Sequence, residues 1–285
     1  MINALRGLRS ITIKARRILL LMALIFADFI LYSVLLGILT SVPGFDELIN
    51  ENIFATLIVS ELIFIFPALP LYMLITRQKF SDILPLNPMG WKNAAYILLM
   101  TFLLGPVTAL LSALTSLFYP NAAEQITSMF TLENLPAAVF AAAVLPALAE
   151  EICFRGAALN ASKGMSVITA AVINGILFGL MHMNPQQIPY ATFLGIVFSL
   201  YVIHTRSIFS SMLAHFLVNA PNVVLALTLA DNAGTAEATE VTLSAISTLA
   251  VSAAVFFLMF LNVYKRFRSY NLCRNPPDYP GGNTQ

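Results

Sequence analysis

The stretch "AVFAAAVLPALAEEICFRGAALN" (138–160) decides the reading of this chain. Its first ten residues are apolar, and then Glu150, Glu151 and Arg155 crowd into the next few positions. In a soluble protein such charges mark a solvated face. In a bilayer each is costly unless paired or wet, and so marks a candidate site. Composition chooses between the two. The chain is 59% hydrophobic and 10% charged, with a mean hydropathy of +0.83, whereas soluble domains carry about 25% charged residues. A soluble fold of this length could not cover so much apolar surface. The expected class is an all-α polytopic membrane protein.

Working outward from that stretch, apolar runs of about 20 residues, the length that crosses a bilayer, fall at about eight places. They are 18–41, 53–76, 94–118, 135–158, 165–183, 187–204, 207–230 and 241–264. The runs are continuous and do not alternate with period two, unlike the strands of an outer-membrane barrel. The first is preceded by a basic arm and is too long for the core of a cleaved signal, so it reads as a retained span.

The charges then sort by connection. Arg6, Arg9, Lys14, Arg16 and Arg17 precede the first run, and Arg77, Lys79 and Lys92 lie in the second connection. Arg155 and Lys163 lie at the fourth, Arg206 at the sixth, and Lys265, Arg266, Arg268 and Arg274 in the tail. Together these are all 15 Lys and Arg residues. The odd-numbered connections carry acids, among them Glu47, Glu133 and Asp231, and no base. The positive-inside rule therefore places both termini in the cytoplasm.

The expected organisation has four parts. Residues 1–134 hold the first three spans and a Pro-broken piece, "FSDILPLNPMGWKN" (80–93), read as a short amphipathic segment at the inner interface. Residues 135–230 form the core, 231–264 an outer loop and the last span, and 265–285 a tail whose Pro, Gly and Asn content predicts disorder. Cys153 and Cys273 imply no disulfide framework.

The ionisable groups inside the runs cluster in three places. Glu151 and Arg155 are four apart, acid first, which is the favourable order for a helical ion pair. Glu150 points about 100° away and has no such local partner, which leaves it as a candidate general base. His182 ends "FGLMH" (178–182), with Phe178 one turn earlier on the same face. His215 and Asn219 bound "HFLVN" (215–219) and share a face. A Glu and a His can activate a water, while a His and an Asn can stabilise the oxyanion of a tetrahedral intermediate. That is a kit for peptide hydrolysis without a covalent intermediate. The same groups could serve a zinc ion, with Glu150, His182 and His215 as ligands and one position open. The helix-borne HExxH spacing is absent. Asp28, Glu61 and His204 receive no chemical role.

Taken together, "EEICFR" (150–155), "FGLMH" and "HFLVN" resemble the EExxxR, FxxxH and HxxxN motifs of the CPBP family, the CAAX proteases and bacteriocin-processing enzymes. The motifs occur in family order over about 135–230. The resemblance implies an intramembrane endopeptidase of eight helices, related to the ras-converting type II CAAX prenyl endopeptidase. By that resemblance Glu150 and His182 activate the water, His215 and Asn219 form the oxyanion site, and Glu151, Arg155 and Phe178 support them. The family has been described both as a metalloprotease and as a glutamate protease. The implied partners are a membrane-associated peptide or protein substrate, prenylated or simply hydrophobic, and the lipid bilayer. Nucleic acid is not among them. A bacterial plasma membrane is the expected location. The rival readings are a non-catalytic membrane partner or bacteriocin self-immunity protein, and a solute or proton carrier. A carrier of that kind predicts inverted repeats with matching broken helices, and none is visible.

One geometric strain follows. Glu150 lies about 21 Å down the fourth run, whereas a straight fifth run would carry His182 about 26 Å back and past it. The uncharged link "HMNPQQIP" (182–189) is therefore expected to be sunk into the protein, where irregular backbone is tolerated at depth.

Overall fold

The structure is a computed structural model and describes residues 2–120, 131–232 and 243–274. Among these residues no strand forms, and one isolated bridge pairs Leu86 with Ser207. Helix α1 spans Ile2–Leu39, α2 Phe45–Glu51, α3 Ile53–Ile65, α4 Ala68–Thr76 and α5 Phe80–Ile83. Helix α6 spans Trp91–Ser116, and α7 is the continuous helical span Leu132–Ala161. Helices α8 Val167–Met181, α9 Ile188–Thr205, α10 Phe209–Asn232 and α11 Leu243–Arg274 complete the chain.

Among the described residues, seven helical segments are long and apolar enough to cross a membrane, by length and composition. This bears out the polytopic all-α class. The fifth expected span does not reach that length. Helix α8 is apolar but has 15 residues, a rise of about 22 Å against a hydrocarbon core of about 30 Å. It starts late because Ser166 caps it, accepting from the Thr169 amide at 3.1 Å. It stops early because Met183 turns left-handed at φ 47°. The second expected span coincides with the apolar helical stretch Ile53–Thr76, in which a turn at Phe66 and Pro67 stands between α3 and α4.

One further expectation meets a different outcome. Helix α11 runs through Arg274, so the first ten residues of the tail expected to be disordered are helical; 275–285 lie outside the described residues. Two buried side chains explain the extension. Phe267 is buried, and Asn271 and Asn93 exchange amide hydrogen bonds at 2.9 and 3.1 Å, tying the end of α11 to the start of α6. The segment 80–93 has both buried and exposed apolar side chains. Ile83 and Leu84 are buried while Phe80, Leu86 and Trp91 are exposed. The Ile208 amide donates to the Pro85 carbonyl at 2.9 Å, which docks this segment on the turn between α9 and α10.

The α8–α9 hairpin is the tightest packing in the bundle. Gly175 and Gly179 on α8 face Gly195, Thr192 and Ile196 on α9, with no room for side chains between the backbones. Small residues four apart let membrane helices approach this closely. A Cβ on Gly179 would overlap Thr192 Oγ1 and stand 2.8 Å from the Ile188 carbonyl. Gly179→Val is therefore expected to lower stability by about 1–3 kcal/mol, the usual range for overpacking. Gly37→Val serves as the control, since nothing lies within 4 Å of the point where its Cβ would stand. Thermal unfolding of both variants in nanodiscs checks this, with a clear drop expected for the first and none for the second.

Candidate active site

The charged stretch lies in the middle of α7, where the helix changes pitch twice. Wide π-helical turns at Phe140–Val144 and Ile152–Ala158 flank the α-helical Leu145–Glu151. Such turns loosen the backbone ladder and occur often at functional sites. Side chains from other helices supply bonds to carbonyls in both turns. Asn219 Nδ2 on α10 donates to the Ala142 carbonyl at 3.3 Å, and Asn174 Nδ2 on α8 donates to the Phe154 carbonyl at 2.8 Å.

Glu151 is the hub. It is 0% exposed, and Arg155 is 1% exposed. Arg155 Nη1 donates to Glu151 Oε1 at 2.9 Å, the local ion pair that the spacing predicts. His215 Nδ1 lies 3.0 Å from the same oxygen. A carboxylate only accepts, so Nδ1 carries the hydrogen and Nε2 is left for other work. Arg155 Nη2 donates to the Gly195 carbonyl at 3.2 Å, which fastens α7 to α9.

Phe178 sits at the centre of the aromatic and charged groups. The Arg155 guanidinium carbon lies 4.2 Å from the centre of its ring, a cation–π contact strengthened by burial. His182 meets the ring edge-to-face at 4.9 Å, Phe154 at 5.2 Å and His215 at 5.8 Å. His182 Nδ1 lies 2.8 Å from the Phe178 carbonyl. A carbonyl only accepts, so this contact fixes the tautomer with hydrogen on Nδ1 and leaves Nε2 of a neutral ring as a bare acceptor. Both histidines of the expected site thus stand against one phenyl ring.

Glu150 has Phe154 at the position where Glu151 has Arg155. Its Oε2 is buried and has no hydrogen-bond partner, as is also true of Glu151 Oε2. Glu61 lies on α3, which packs directly on this part of α7. Asn219 is reached by its helix as expected, but one of its two amide hydrogens is engaged with Ala142.

Several supporting residues were missed in the sequence. Asn174 is buried, donates to α7 and accepts from Ser199 Oγ at 2.9 Å. It stands one turn before Phe178 on α8, so a lone polar residue at that spacing from "FGLMH" was the available signal. His204 pairs its Nε2 with Tyr264 Oη at 2.9 Å.

The zinc alternative can be tested on the donor set. Among the described residues no three His, Cys, Asp or Glu side chains are gathered so as to hold a metal ion. His215 turns one nitrogen to Glu151, and Glu150, His182 and His215 do not converge as a ligand set. The described residues as placed do not fit a metal, and metalloprotease chemistry gains no support from them.

With this geometry in view, comparison with known families is informative. Residues 132–221 match the family described as Type II CAAX prenyl endopeptidase Rce1-like. That stretch, less than half of the chain, is similar to the Rce1-like family. It takes in α7, α8, α9 and the first half of α10, and with them Glu150, Glu151, Arg155, Phe178, His182, His215 and Asn219. No curated protein and no solved structure matches the chain.

Proposed function

We propose that this protein hydrolyses a peptide bond of a membrane-presented substrate, prenylated or otherwise hydrophobic, with a water activated by Glu150 and His182. The observation that carries the reading is the contrast between two adjacent carboxylates. Glu151 Oε1 is engaged by both Arg155 and His215, whereas Glu150 has Phe154, not a cation, four residues on; each carboxylate keeps a buried Oε2 with no hydrogen-bond partner. A buried acceptor left open costs about 1–3 kcal/mol, so its persistence calls for a partner such as water.

In this reading Glu150 takes a proton from the water while His182 Nε2 accepts its other hydrogen and orients it. The water oxygen bonds to the scissile carbonyl carbon. The resulting oxyanion is met by the free Asn219 N–H and by His215 Nε2, which donates when that imidazole carries both protons. Collapse breaks the C–N bond, and the proton held by Glu150 passes to the leaving amine. Glu151 and Arg155 hold His215 and the α7–α9 junction in place. The charge sorting favours cytoplasmic termini, and the expected setting is a bacterial plasma membrane.

Purified protein in nanodiscs, offered a library of membrane-anchored peptides with and without a lipidated cysteine, tests this directly. Cleavage that survives a chelator is the expected result. Activity lost to the chelator and restored by zinc would overturn the Glu/His assignment. A folded protein that cuts nothing would favour a binding-partner role.

A further inference from the structure

The link between α8 and α9 contains a fixed point that the proposed chemistry does not use. Gln186 is 0% exposed, although Met183 and Pro185 beside it are exposed. The expectation that this link is sunk therefore holds for Gln186 and not for all its neighbours. Gln186 Nε2 donates to Ser112 Oγ at 2.8 Å and to Ser116 Oγ at 3.2 Å. Thr115 Oγ1 donates to the Gln186 carbonyl at 2.9 Å, and the Gln186 amide donates to Asn184 Oδ1 at 3.1 Å. Three hydroxyls on the last turns of α6 thus grip one residue by its side chain and its backbone.

The grip lies four residues after His182, and the intervening chain is strained. His182 is the last, capping residue of α8, and Met183 follows at φ 47°. A left-handed conformation in a non-glycine residue costs about 1–3 kcal/mol and persists only where its surroundings over-determine it. On the near side, His182 is held by its Phe178 carbonyl contact. On the far side, the link is held by the hydrogen bonds to α6 and by the Asn184 carbonyl, which accepts from the Gln187 and Ile188 amides.

We infer that Gln186 is the positioning residue of His182: its amide fastens the link to α6, keeps Met183 left-handed, and so fixes where the imidazole stands. This rests on the reading that His182 orients the water. Helix α6 contributes no side chain to the candidate site, so a role for Ser112 and Ser116 in activity would be hard to explain otherwise. Displacing a catalytic group by about 1 Å can cost about 100-fold in rate.

The test uses the chain's 3 histidines. In full-length protein labelled with 15N-histidine and held in nanodiscs, the three imidazoles can be assigned by single substitution. Gln186→Leu is expected to move the His182 resonances and leave those of His204 and His215 in place. With a cleavable peptide, kcat is expected to fall about 100-fold while KM changes little. Ser112→Ala combined with Ser116→Ala removes the acceptor hydroxyls from the α6 side and is expected to reproduce both effects; it also serves if Gln186→Leu fails to fold. Unchanged His182 resonances in folded variants, or equal shifts in all three histidines, overturn the inference. If the wild-type protein cleaves nothing, the protease reading fails, and the spectra still decide whether Gln186 positions His182.

Discussion

Replacing Phe178 with alanine is expected to remove both stability and activity, because four groups of the site lean on its ring. Phe178 is 2% exposed. In a bilayer the lipid is as apolar as the protein interior, so transfer out of water contributes little to helix association. What remains is the cavity and the lost contacts. Deleting a buried phenyl typically costs about 3–5 kcal/mol in soluble proteins, and the cavity and contact part of that applies here. A desolvated cation–π contact adds about 2 kcal/mol. Unfolding of Phe178→Ala by a denaturing detergent should therefore begin at clearly lower detergent than for the wild type. Phe178→Leu separates the two contributions. It retains most of the volume and loses the ring face over Arg155, so it is expected to recover much of the packing but not the cation–π part. Alanine with wild-type stability would mean that the ring is not the support described.

The second large effect is expected at Glu151. Glu151→Ala leaves Arg155 as a buried charge with its carboxylate partner removed, a change that costs about 3–5 kcal/mol. It also frees His215, whose Nδ1 loses its acceptor. Glu151→Leu combined with Arg155→Met removes both charges at once, and replacing a buried ion pair by apolar groups is often neutral for stability. The double variant is therefore expected to unfold near the wild-type midpoint while remaining inactive, since nothing then orients His215. Thermal unfolding and peptide cleavage measured on the same samples check this. Recovery of activity along with stability would show that the pair serves only to hold the bundle together.

What was legible in the sequence was mostly local. Apolar run length gave the spans, and the Glu151–Arg155 pair followed from i,i+4 geometry on one helix. The failures have physical causes that act across the chain. Helix α8 reads as apolar over 165–183, yet the cap at Ser166 and the left-handed Met183 shorten it. The tail reads as polar, yet Phe267 and Asn271 find partners on α6 and α9 and keep it helical through Arg274.

The site shows the same division. Three motifs were visible as residue types, but not how they meet. His215 reaches Glu151 across 64 positions of sequence. That contact depends on how α7, α9 and α10 seat against one another, which the glycines of the α8–α9 hairpin and the Arg155–Gly195 bond largely determine. Asn219 read as an oxyanion donor, and its bond to the Ala142 carbonyl is visible only once the π-turn of α7 is known. Gln186 carries no motif at all; its partner Ser112 lies on α6, 74 positions away.

The central claim is that Glu150, and not its paired neighbour, activates the water. Single-turnover cleavage of a membrane-anchored peptide by wild-type protein and by Glu150→Gln, in matched nanodiscs with unfolding recorded for both, tests it most directly. The account predicts matching stability and a rate lower by about 10²–10⁴-fold in the variant, the range for loss of a general base. A folded Glu150→Gln protein that cleaves within a few-fold of wild type would contradict it.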